Sequence, residues 1–334
     1  MEELVERHLG PAIGAVPGIT AAVVHHGDEH VFALGTMAAR RRTRDACWEI
    51  GSITKVFTGM LLAEMSLRGE VRLDDPIGLH LPAEVADRLP LADLQPTLQD
   101  LATHHAGFSS LPLSMGAKAV VTRDRDPYSR LSERQVFDHL GSKTRRPKKP
   151  SFRYSNFGMG LLGHLLGRVA GQPYSTLLQE RLLDPLGLDH TGVGGCGGGE
   201  PVQGHRKGTP TPAWTFGALP GCGALRSTMT DLVSFARSVL EPSSGRVGEA
   251  LRLALEPRRD GPARDMSVGL GWMTRTTDRS ESRWHNGGTY GTSSFLAVDQ
   301  ERQVAVVALG NAGPRLVPPL DGPCWALLDE LSSG

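Results

Sequence analysis

The sequence predicts a fold of the α+β class: one sheet drawn from both ends of the chain, with a mainly helical region inserted between the two contributions. Three observations carry this. "GITAAVVHHGDEHVFALG", from Gly18 to Gly35, reads as two apolar, β-branched strands around the turn residues His26, Gly27 and Asp28, the pattern of a hairpin. After about residue 265 strands return as "MSVGLGWM", "SRWHNGG", "TSSFLAVD" and "QVAVVALGN", the last two joined by a short turn from Asp299 to Arg302. From roughly 75 to 215 the texture is short helices punctuated by proline and glycine. The boundaries that follow are 1–74 with 216–334 for the sheet-bearing unit and 75–215 for the helical insertion.

Taken in order, the next element after the hairpin is "WEIGSITKVFTGMLLAEMSLRGEV". A helix beginning near Ser52 places Ile53, Val56, Phe57, Met60 and Leu61 on one buried face, and Leu62 and Met65 widen that stripe until little is left for water. "NFGMGLLGHLLGRVAGQP" is a second helix, stopped by Gly171 with Pro173 beyond. "STMTDLVSFARSVL" is a third, with Thr230 or Ser227 as its cap. The run "GVGGCGGGEP" follows no strand-to-helix pattern and reads as a surface loop, and the basic run "KTRRPKKP" as a solvated one. A last helix near "LDGPCWALLDEL" closes the chain.

Bulk composition removes several functions. The chain has 334 residues with 36 basic and 36 acidic side chains, so nothing draws it generally toward nucleic acid or an anionic membrane. It has no apolar window long enough to span a bilayer. "MEELVERHLGPAIG" lacks the apolar stretch of a signal peptide, so the expected location is cytoplasmic. Four cysteines, at 47, 196, 222 and 324, show no paired spacing, and reduced, buried thiols are expected. His25, His26, His30, His104 and His105 lack a carboxylate at ligand spacing, so neither a metal nor a cofactor is expected, and these histidines read as structural or solvent-facing.

The chemistry centres on one cation in a greasy helix. Lys55 lies one turn beyond Ser52, on the same helical face. A serine hydroxyl is a weak nucleophile until a base takes its proton, and lysine is a base only when neutral. Apolar burial and a helix N-terminus both disfavour the ammonium, so the surroundings make sense if Ser52 is a nucleophile. A capping serine with a lysine that snorkels to water is the competing reading. Two further elements weigh against it. "FRYSNFGMG" sets Tyr154 and Asn156 just before a helix, where a phenol can relay a proton and an amide can bond the lysine and a substrate carbonyl. "WHNGGTYG" ends a strand, and its Gly287-Gly288 pair lets backbone approach a ligand and offer an N–H.

Ser52-Ile53-Thr54-Lys55, Tyr154-Ser155-Asn156 and His285-Asn286-Gly287 resemble the three signature elements of the serine β-lactamases and penicillin-binding proteins, most of all the class C type with its Y-x-N. The resemblance runs from "PGITAAVV" to "VVALGN" and includes "RGEVRLDDPI", "LATHHAGF" and "LLDPLGLDHT". It implies an antiparallel sheet flanked by helices, with the insertion across the cleft. It implies that Ser52 is acylated while Lys55 and Tyr154 exchange its proton. Asn156 and His285 would position substrate, with Gly287 allowing close approach, and the N–H groups of Ser52 and Gly288 would form an oxyanion hole.

The sequence departs from that pattern at His285 and Asn286, where β-lactamases of the family carry lysine and threonine, and in "KKPSFRYSN", which lacks the usual Pro-Gly. Histidine there resembles the esterases, transacylases and some peptidases of the superfamily. With the expected location, this points to a serine esterase or acyltransferase using a small-molecule acyl donor and water, an alcohol or an amine as acceptor. The alternatives are a β-lactamase or D-amino-acid peptidase, and a binding or sensor module that acylates once and stays occupied.

Overall fold

The computed structural model describes residues 1–40, 42–110, 126–141, 143–313 and 318–332. Its centre is an eight-stranded antiparallel sheet. The strands are β1 (Gly18–His25), β2 (Asp28–Gly35), β3 (Arg259–Asp260), β4 (Met266–Val268), β5 (Met273–Thr276), β6 (Glu281–Gly288), β7 (Ser293–Asp299) and β8 (Val304–Gly310). Their order is β2-β1-β8-β7-β6-β5-β4-β3, so the two chain ends meet where β1 pairs with β8, Ile19 opposite Gly310. The predicted hairpin is present, with His25 opposite Asp28 across His26 (φ +48°) and Gly27 (φ +87°). Two successive positive φ values make the tight turn whose twist matches paired strands.

Strands β1, β7 and β8 are buried along almost their whole length because both sheet faces are covered. Alternate residues feed two cores. Ile19, Ala21, Val23, Phe295, Val304 and Val306 face helices α1 (Glu2–Leu9) and α6 (Asp321–Leu331). Ala22, Val24, Leu296, Val298, Ala305 and Val307 join the larger core under α2 (Thr54–Leu67), α3 (Asn156–Ala170), α4 (Met229–Leu240) and α5 (Arg246–Leu255). That core runs on without a break into Leu98, Leu177 and Leu182 of the helical region.

The caps mix agreement and correction. Ser155 caps α3 by accepting from Gly158 N at 2.9 Å, and Gly171 ends it at φ +68°. Thr228, not Thr230 or Ser227, caps α4, accepting from Asp231 N at 3.2 Å. "MSVGLGWM" is two strands rather than one. Gly269 and Gly271 break it, because the backbone there runs against helix backbone: a Cβ on Gly271 would lie 2.2 Å from Lys55 O.

The cysteine expectation is overturned. Cys47 and Cys196 form a disulfide, while Cys222 and Cys324 are free and buried. The bonded pair is 149 residues apart, and only the fold brings the lead-in to Trp48–Glu49 beside the glycine-rich loop. Pairing there is also main-chain: Cys47 N donates to Glu200 O and Val202 N to Cys47 O, each at 2.9 Å. Among the described residues no helix is long and apolar enough to cross a membrane.

Candidate active site

Ser52 occupies one 3-10 turn, Gly51–Ile53, that opens onto α2. Gly51 holds φ +50°, and a Cβ there would lie 2.5 Å from Gly288 N. A Cβ on Gly287 would lie 2.1 Å from Ile50 O and 2.9 Å from Ser52 N. No side chain fits at either place, which is why glycine stands on both sides of this contact. Hydroxyls tie the two segments together: Thr289 donates to Glu49 Oε2 at 3.0 Å, Thr292 to Glu49 O at 3.0 Å and Ser294 to Ile50 O at 2.8 Å. Burial raises the Glu49 carboxyl above its usual range, while donors from Trp214 and Thr289 offset part of that rise.

Lys55 is fully buried, and its Nζ donates to Ser52 Oγ at 2.9 Å and to Cys222 O at 2.6 Å. It does not snorkel to solvent. The Cys222 carbonyl is held by a short turn, Pro220–Cys222, whose Gly221 O accepts from Thr58 Oγ1 at 2.7 Å. Thr58 in turn accepts from the buried Tyr174 phenol at 2.7 Å. Residues at 54 and 58 of α2 therefore anchor the wall that faces Lys55: Thr54 Oγ1 accepts from Leu225 N at 3.1 Å.

Tyr154 closes the other side. Its ring centroid is 4.8 Å from Lys55 Nζ, 4.5 Å from the His104 ring and 6.2 Å from the His285 ring. Asn156 begins α3, but its amide donates to Tyr128 Oη at 2.9 Å rather than meeting the lysine. The role read for it in holding the lysine falls instead to the Cys222 carbonyl. Asn156 Oδ1 is buried without a partner among the described residues.

Both histidines are buried and neutral, in opposite tautomers. His285 Nδ1 lies 2.5 Å from Asn286 O and donates to it, leaving Nε2 an acceptor with no partner among the described residues. Burial first, then Lys55, pushes its pKa down to about 3. His104 Nδ1 accepts from Ser155 N at 3.2 Å, so Nε2 carries the proton and has no partner among the described residues. Burial holds that ring well below the ordinary histidine value, with Lys55 and His285 adding to the effect. Asn286 points to the opposite sheet face, donating to Asp321 Oδ2 at 2.6 Å on α6, away from Lys55.

Of the seven predicted residues, Ser52, Lys55, Tyr154 and His285 are joined by the contacts above and Gly287 and Gly288 pack on the Ser52 turn, whereas Asn156, one residue beyond Ser155, is placed by its bond to Tyr128. Sequence reasoning missed Tyr128, Glu49, the Cys222 carbonyl and His104. Only His104 carried a signal, as part of "LATHHAGF", and it was read as structural or solvent-facing. Among the described residues no group of three or more His, Cys, Asp or Glu side chains is placed to hold a metal ion.

The beta-lactamase family model matches residues 2–322. The chain belongs to the beta-lactamase family. With that membership it is an enzyme of the serine hydrolase and acyltransferase superfamily. A beta-lactamase of Escherichia coli (strain K12) is 25% identical to it, over 99% of this chain and 94% of that protein. "Penicillin-binding protein 4" of Amycolatopsis lactamdurans is 28% identical over 89% of this chain and 81% of its own length. The D-alanyl-D-alanine-carboxypeptidase/endopeptidase AmpH of Escherichia coli (strain K12) is 25% identical over 88% and 79%. A crystal structure of a class C beta lactamase from Rhodobacter sphaeroides superposes with a TM-score of 0.81, covering 98% of this chain and 99% of its own at 23% identity. The expected mixed fold of helices and antiparallel sheet is therefore that of this family.

Proposed function

We propose that this family member is a serine acyl-enzyme esterase or acyltransferase that prefers neutral ester or amide donors. The observation that carries the proposal is Lys55: buried, 2.9 Å from Ser52 Oγ, and held by a backbone carbonyl rather than a carboxylate. As the neutral amine it keeps one N–H on Cys222 O and turns its lone pair to the Ser52 hydroxyl. Ser52 Oγ attacks the acyl carbonyl while Lys55, with Tyr154 beside it, takes the proton. The Ser52 and Gly288 N–H groups receive the oxyanion. The same proton passes to the leaving oxygen or nitrogen, and water, an alcohol or an amine then takes the acyl group by the reverse sequence.

Donor preference rests on His285, which stands neutral where the family's β-lactamases carry lysine and so attracts a carboxylate far less than an ammonium would. The location argument no longer adds to this. A Cys47–Cys196 disulfide favours an oxidising compartment over the cytoplasm. Relatives named beta-lactamase and D-alanyl-D-alanine-carboxypeptidase/endopeptidase favour a second reading, hydrolysis of β-lactams or D-alanyl peptides. One experiment separates the readings. A fluorophosphonate should label Ser52 and fail on Ser52→Ala, and neutral esters should turn over far faster than penicillins or cephalosporins. Labelling elsewhere removes the assignment, efficient penicillin turnover installs the second reading, and a single acylation burst without turnover makes the chain a sensor.

A further inference from the structure

His104 grips the backbone on both sides of Tyr154. Its main-chain oxygen accepts from Arg153 N at 2.8 Å, and its ring Nδ1 accepts from Ser155 N at 3.2 Å. Between those two bonds the Tyr154 ring packs on the imidazole, centroids 4.5 Å apart. The residue holds φ +62°, in the left-handed region that non-glycine residues enter uncommonly and that histidine, like asparagine and aspartate, enters more readily than most. Such a position is held because the neighbours over-determine it. Here the neighbours are a T-shaped Phe152 ring at 5.6 Å, the Tyr154 ring, and two amide donors.

We propose that His104 is a positioning residue for Tyr154, acting through its Nδ1 acceptor and its left-handed backbone rather than by touching substrate. The proposal rests on the reading in which Tyr154 shares the Ser52 proton. Lys55 Nζ lies over the Tyr154 ring at 4.8 Å from its centroid, and the His104 imidazole packs on the same ring, so a shift of His104 moves the phenol relative to Nζ. An amide N–H must find an acceptor at Nδ1, and a protonated ring would have none to give. Burial keeps the ring neutral, which preserves that acceptor.

The test uses three variants of the full chain. His104→Asn puts its Oδ1 where Nδ1 was and tolerates the backbone angle. His104→Gln keeps a donor near the Nε2 position but loses the Nδ1 acceptor, and His104→Gly removes the ring without backbone strain. The readouts are kcat and KM for a neutral ester, and the fluorine NMR signal of Tyr154 in protein carrying 3-fluorotyrosine at its four tyrosines, assigned with Tyr154→Phe. We expect His104→Asn to keep kcat within about threefold and leave the Tyr154 signal in place, while Gln and Gly lose kcat on the order of 10²-fold at little-changed KM and shift or broaden that signal, since small displacements of a reacting group cost rate at this scale. The proposal is overturned if His104→Gln matches wild type while His104→Asn does not, if the loss falls on KM alone, or if the Tyr154 signal is the same in all three. Should His104→Gly fail to fold, His104→Asn and His104→Gln still decide. The fluorine signal reads Tyr154 whether or not Ser52 proves to be the nucleophile, so failure of the functional reading and failure of this inference are told apart.

Discussion

Across the range in which histidine ordinarily titrates, about pH 5 to 8, the His285 ring is uncharged, because burial and Lys55 push its pKa down to about 3. Residue type alone placed the change of charge within the assay range; the structure moves it out. The ratio of kcat/KM for an anionic β-lactam to that for a neutral ester should therefore stay flat through this range in wild type as far as His285 is concerned. His285→Lys introduces an ammonium beside the Gly287-Gly288 backbone and should raise that ratio by about 1 to 2 kcal/mol, the scale of one charge-assisted bond less the cost of a second amine near Lys55. Competitive hydrolysis of the two substrates measures it. A ratio that rises in wild type on acidification would mean the ring gains a proton in the complex, and an unchanged ratio in the variant would mean that donor charge is read elsewhere.

At the scale of elements, the strand bearing His285 is tied to α6 by its next residue. Asn286 donates to Asp321, whose carboxyl is raised from 3.8 to about 6, chiefly by burial and in spite of that hydrogen bond. The folded state thus holds a proton that the unfolded chain has released. The contribution is fully present below pH 3.8 and lost as pH rises through about 6, so above that point the ionised carboxylate costs about 3 kcal/mol, two pKa units at 1.36 each. Asp321→Asn keeps an acceptor for Asn286 and removes the charge. Chemical denaturation should find the variant equal to wild type near pH 4 and about 2 kcal/mol more stable near pH 8, after a loss of up to about 1 for the anion heading α6. A variant less stable at pH 8 would show that the ionised form is favoured where it sits.

For the molecule as a whole, the Cys47–Cys196 bond closes a loop with sequence separation 149, running from just before the Ser52 turn through the helical region. Constraint of the unfolded chain by a loop of that length is worth at most about 5 kcal/mol, and removal of a native disulfide typically costs about 2 to 5. Reduction, or Cys47→Ser with Cys196→Ser, should lower unfolding stability by that amount. The paired main-chain bonds at Cys47 should keep the fold assembled. Equal midpoints with and without reductant would show that the bond is not formed in the purified protein.

Local chemistry is legible in the sequence because it is carried by residue type and short spacing. The hairpin at His26-Gly27, the all-round apolar α2, the Gly171 stop of α3 and the one-turn offset of Ser52 and Lys55 are of this kind. So was the family resemblance, and with it the joining of both chain ends in one sheet. What belongs to neighbours distant in sequence was not legible. The carbonyl that holds Lys55 is backbone, which any residue would supply, so nothing at Cys222 marked it. The cysteine pair had no spacing to betray it, and Asn156 turned to Tyr128 because that phenol arrives from another segment. His285 reads from its type as a group titrating near neutral pH, and His104 as structural or solvent-facing. Desolvation is set by everything packed around a ring, and tertiary packing alone made both of them neutral acceptors and donors beside a buried lysine.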